Sequence, residues 1–79
     1  MPYINHEAKK SVAYMGPQTA GELNYAITIL LIDYWNGHQN YQGINDIVGS
    51  LEGAKAEFYR RIAVPYENNK IVENGDIYE

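Results

Sequence analysis

The chain has 79 residues, with ten Asp and Glu against six Lys and Arg, a net charge of −4, and no cysteine. That length caps the fold at one small domain, and the missing cysteine excludes both a disulfide framework and a thiolate metal site. The acidic balance excludes a general phosphate-backbone binder, which needs a basic face, so no nucleic-acid partner is expected.

The first residues, Met1-Pro2-Tyr3-Ile4-Asn5, have no basic stretch followed by an apolar one, so a secretory signal is not expected. Asn5 is placed to cap a short helix over His6–Met15, which Gly16-Pro17 would end. Next, Thr19-Ala20-Gly21-Glu22 matches a capping box, with Thr19 accepting from the Glu22 amide and Glu22 reaching back to the Thr19 amide. Leu23, Ala26, Ile27, Leu30, Leu31 and Tyr34 then recur at spacings of three and four, the mark of an apolar helical face. A helix over 20–36 follows, with Gly37 expected to take the left-handed conformation just past its end. The longest apolar run, Ala26 to Ile32, is broken by Thr28 and falls far short of the ~20 residues of a membrane span, so no membrane partner is expected.

Asn40 is a good cap for the next helix, where Ile44, Ile47, Val48, Leu51, Ala54, Phe58 and Ile62 repeat at three and four. Pro65 disfavours a helical Val64, so this helix is expected over 41–63. The short link Gly37–Asn40 favours antiparallel neighbours, and the two long helices are expected to form a hairpin. The tail 65–79 sets four acidic residues against Lys70 but also carries Tyr66, Ile71, Val72, Ile77 and Tyr78. It reads as a docked tail: a short helix with Pro65 in its first turn, stopped at Asn74-Gly75, then an extended end. The expectation is therefore one all-α domain over 1–79, made of an N-terminal segment 1–18, a helical hairpin 19–64 and an acidic tail 65–79.

Each long helix carries a second face. On a helical wheel Leu23, Ile27, Leu30 and Tyr34 point one way, while Tyr25, Ile29 and Ile32 point roughly opposite. A helix apolar on both sides is normally buried on both, which a two-helix hairpin cannot provide. Opposite the Ile44–Val48–Leu51–Phe58 stripe lie Gly49, Gly53 and Ala56. Each interior glycine costs ~1 kcal/mol relative to alanine. Either the helix tolerates them, or they form a small-residue groove that admits another helix, such as the Tyr25–Ile29–Ile32 face of a neighbouring subunit. A chain of this size buries only about 60% of its unfolded surface, and no metal or disulfide makes up the difference. Homo-oligomerisation is therefore expected to complete the core, with Tyr25, Ile29, Ile32, Gly49, Gly53 and Ala56 at the interface.

Catalytic chemistry is hard to find. His6 and His38 have no partner at ligand spacing, Ser11 and Ser50 lack a nucleophile elbow, and there is no phosphate loop or zinc pattern. An enzyme is not expected, nor a metal or cofactor. The best candidate site is Glu57-Phe58-Tyr59-Arg60-Arg61 with Tyr66. In its plain reading Arg60 and Arg61 complement a helix C-terminus, and Glu57 pairs with Arg61 for ~0.3–0.5 kcal/mol. In the functional reading Tyr59 and Tyr66 stack on a planar group while Arg60 and Arg61 take a phosphate or carboxylate.

The blocks Leu23-Asn24-Tyr25-Ala26-Ile27-Thr28, Phe58-Tyr59-Arg60-Arg61, Pro65-Tyr66-Glu67 and Glu73-Asn74-Gly75-Asp76-Ile77-Tyr78 resemble a family of small uncharacterised proteins of bacteriophages, prophages and bacteria. The resemblance runs from Gly21 to Tyr78 and leaves out the first eighteen residues. It brings no catalytic motif; it implies a phage-type accessory protein acting in the bacterial host cytoplasm. Three functions are therefore weighed: an oligomeric binding protein that antagonises host defence by holding a nucleotide-like anionic ligand between subunits, a protein–protein interaction module that occupies a host or phage protein, and a purely structural oligomer.

Overall fold

The computed structural model describes residues 1–78, and all of their regular structure is helical. Helix α1 spans His6–Met15, α2 Ala20–Gly37 and α3 Tyr41–Phe58; a π-helical segment, Tyr59–Ala63, leads into α4, Val64–Asn74. The chain divides into two compact units, Met1–Ile47 and Val48–Glu79, with the boundary inside α3.

Local capping explains most of the boundaries. Asn5 Oδ1 accepts from the Ala8 amide at 2.9 Å to start α1. Gly16, at φ 78°, ends it by donating its N–H to the Val12 carbonyl. Thr19 Oγ1 accepts from the Glu22 amide at 3.1 Å. The return bond of this box is displaced by one residue: Glu22 Oε1 accepts from the Gln18 amide rather than that of Thr19.

At the other end of α2 the expectation for Gly37 fails. Gly37 is the last helical residue, and among the described residues only Gly16 and Gly75 have positive φ. His38 makes a left-handed glycine unnecessary. Its N–H bonds the Trp35 carbonyl, and its ring Nδ1 lies 2.9 Å from the Tyr34 carbonyl, so orphan carbonyls of the last turn are met by this one residue. Asn40 Oδ1 then accepts from the Gly43 amide at 2.7 Å to start α3. Gly43 is buried, and a Cβ added there would sit on the His38 carbonyl.

The stop expected at residue 63 also needs correction. The α-helical turns of α3 end earlier, at Phe58, yet the helical path runs on through Pro65 into α4. Proline has no N–H to give, and its ring crowds the carbonyl four residues back, here that of Arg61. The π segment relieves that crowding by widening the turn: the Val64 N–H reaches the Tyr59 carbonyl, five residues back. Gly75, at φ 88°, ends α4 by donating to the Ile71 carbonyl, at the stop the sequence marks.

In the first unit the helix packed on α2 is α1. Ala8, Ser11 and Val12 are half-buried there, and Gly21 lets the N-terminal strand of chain approach: a Cβ on Gly21 would lie 3.3 Å from the Met1 carbonyl oxygen and 3.5 Å from Ile4 Cγ2. Lys9 Nζ stands 5.9 Å from the centre of the Tyr25 ring. So α1 covers the Tyr25 side of α2 and leaves the Leu23–Ile27–Leu30–Tyr34 stripe open, with Leu30 69% exposed. Near the link between α2 and α3, Tyr34 Oη donates to Asp46 Oδ2 at 2.7 Å.

Candidate functional site

The second unit holds the sequence-derived candidate. Glu52, Lys55, Ala56, Tyr59, Arg60 and Val64 line an open groove of about 470 Å³. Helical spacing explains the set: residues 52, 55, 56, 59 and 60 fall on neighbouring rows of one helix side. Tyr59 and Arg60 are thus brought together, whereas Arg61 and Tyr66 lie outside this lining. At about 100° per helical residue Arg60 stands at the edge of this side and Arg61 falls roughly opposite Glu52. Tyr66 instead faces Lys70, whose Nζ is 5.6 Å from the ring centre.

The groove is electrostatically mixed. Arg60 Nη2 lies 2.6 Å from Glu57 Oε1, so Glu57 pairs with Arg60 and not with Arg61 as the four-residue spacing led one to expect. Tyr59 Oη donates to Glu67 Oε1 at 3.3 Å. Lys55 and Glu52 were not singled out from the sequence, although their places one and two turns before Tyr59 on the same side are readable from the wheel. The Glu57 carboxylate beside Arg60 weakens the groove's attraction for a small anion.

The proposed interface residues divide in the same way. An added Cβ at Gly49 or Gly53 would meet nothing within 4 Å, so neither glycine is required by packing within the chain. Both have helical backbone, and Ala56 beside them is exposed. On α2, Tyr25 is half-buried under Lys9, while Ile29 and Ile32 remain open.

A second polar cluster, not anticipated, lies at the α2–α3 link in the first unit. Asp46 accepts from Tyr34 Oη at 2.7 Å and from Gln42 Nε2 at 2.8 Å. The Tyr34 and His38 rings stack with centres 4.0 Å apart and planes 6° from parallel. The Tyr34 hydrogen bond, then that of Gln42, then the nearby His38 hold the Asp46 carboxyl below the ordinary carboxylate value. Donating to that carboxylate raises the Tyr34 phenol in turn. The hydrogen bonds of the cluster are solvent-exposed.

No group of three or more metal-ligating side chains occurs among the described residues, and no helix is long and apolar enough to cross a membrane. The model of one family, described as a domain of unknown function (DUF6899), matches residues 1–77, including the first eighteen residues that the motif resemblance had left out. No curated protein and no solved structure matches. The chain belongs to that family of unknown function.

Proposed function

We propose that this member of an uncharacterised family is a non-enzymatic binding protein that works as an assembly of its own copies and engages a protein partner. One observation carries the reading: among the described residues no large apolar side chain is buried. Leu23, Ile27, Leu30 and Tyr34 on α2, and Val48, Leu51, Phe58 and Ile62 in the second unit, all stand open. Full burial of one such side chain contributes about 1.5–3 kcal/mol, so leaving two stripes in water forgoes much of the driving force for folding. Apolar surface of this extent marks an interaction site. The short link His38–Asn40 supports an antiparallel α2–α3 hairpin as the unit that assembles.

The resemblance to phage and prophage proteins supports a bacterial cytoplasmic setting, with a host or phage protein as the partner. A second reading is a nucleotide-like anionic ligand, antagonising host defence by sequestration. Tyr59, Lys55 and Arg60 around the 470 Å³ groove favour it, while the 2.6 Å pair of Arg60 with Glu57 weighs against it.

Concentration-dependent melting tests the first reading. Where assembly and folding are coupled, the melting temperature climbs as protein is concentrated. A melting temperature that stays constant over a hundredfold range of concentration contradicts it. Stabilisation by a nucleotide at constant protein concentration, lost in Arg60→Ala, would move the assignment to the second reading.

A further inference from the structure

The groove side of α3 has a charge pattern that its own chain does not use. At three-residue spacing in the same unit, Arg60 pairs with Glu57 at 2.6 Å and Lys70 with Glu73 at 3.6 Å. Glu52 and Lys55 have that spacing too, yet neither has an ion-pair partner among the described residues. Both line the groove, and beside them Gly49 and Gly53 leave space where a side chain would stand.

We infer that this side of α3 is the docking surface for α3 of a second copy, antiparallel to the first about a two-fold axis; the inference rests on the assembly reading above and specifies its contact. An isologous pairing makes each residue of the face serve twice. With Gly53 opposite Ala56 of the second copy, the backbones can approach closely because no side chain larger than a methyl intervenes. In that register Glu52 and Lys55 of the other copy fall on the same flank, about 3 Å apart along the axis at ~1.5 Å rise per residue. The two-fold repeats this pair on the opposite end. A small anion would meet Glu52 and Glu57 along with the cations. A reversed copy instead sets Glu52 of each chain beside Lys55 of the other, and charge pairing of this kind selects partner and register.

Sedimentation equilibrium on the full chain tests the pairing, with circular dichroism to verify that each variant keeps its helicity. E52K and K55E should each raise the dissociation concentration about tenfold or more, since each turns two attractions into repulsions. The double variant E52K/K55E should return to the wild-type value, and G53L should abolish the association. If E52K, K55E and G53L all assemble as wild type does, this docking surface is wrong while assembly through another face stands. A double variant no better than the singles also overturns it, because the two charges then do not face each other. A wild-type chain that sediments as a monomer at every concentration overturns this inference and the assembly reading together.

Discussion

Gly37 and Gly16 show how a single residue's role depends on what its neighbours supply. Gly16 ends α1 at φ 78° and ψ 174°, a region essentially reserved for glycine that costs another residue about 1–3 kcal/mol. Gly37 is instead the last residue of its helix: His38 provides the terminating bonds and Gly37 stays helical with open space around it. Gly16→Ala should therefore lower the urea midpoint, whereas Gly37→Ala should raise it by an amount equivalent to about 0.5–1 kcal/mol. Equal losses in both would restore the left-handed role to Gly37. The Asp46–Tyr34 bond carries a distinct pH signature. Asp46 is held below its ordinary value, so its contribution is present above the usual carboxylate range and is lost as pH falls through the lower folded value. Tyr34 is raised, so the same bond persists through the ordinary phenol range and is lost above it. Asp46→Asn should flatten the acid limb of a stability-against-pH curve below about pH 4 relative to wild type. An acid limb identical in the two proteins would show that this bond contributes nothing.

At the scale of elements, the caps were the legible part. Asn5, Thr19 and Asn40 each open a helix with the side-chain bond their residue type predicts, and Gly16 and Gly75 each close one. Such signals are local, so a sequence carries them in full. Pro65 does lie in the first turn of α4, but the stop expected at residue 63 fails for the converse reason. The proline's missing N–H is visible in the sequence, but the π turn that accommodates it depends on the carbonyls of Tyr59 to Ala63 shifting together. Half of the expected ligand set, Arg61 and Tyr66, falls outside the groove, because neighbours in sequence and across the turn point to different sides of the helix. Pro65→Ala restores the amide and removes the ring, so the π segment should relax to ordinary α turns. Helicity should be kept and stability raised by about 1 kcal/mol, well inside the ~3 kcal/mol cost of an interior proline. A drop in stability would mean that the widened turn is favoured by contacts of its own.

At the scale of the molecule, the sequence has more apolar faces than two helices can shelter. The structure assigns them differently from the sequence-based expectation. The N-terminal helix takes the Tyr25 side of α2 and leaves the main stripe uncovered, because α1 brings Lys9 and the half-buried Ala8, Ser11 and Val12 to that side. Which face a neighbour chooses is a tertiary decision that periodicity alone does not carry. The uncovered residues, from Leu23 on α2 to Phe58, 64% exposed, at the end of α3, are the reason the account requires more than one copy. Light scattering coupled to size exclusion at micromolar concentration measures that requirement most directly. A molar mass at an integral multiple, two or greater, of the 9.0 kDa chain is the predicted result. A species at 9.0 kDa that melts cooperatively and without concentration dependence would contradict it.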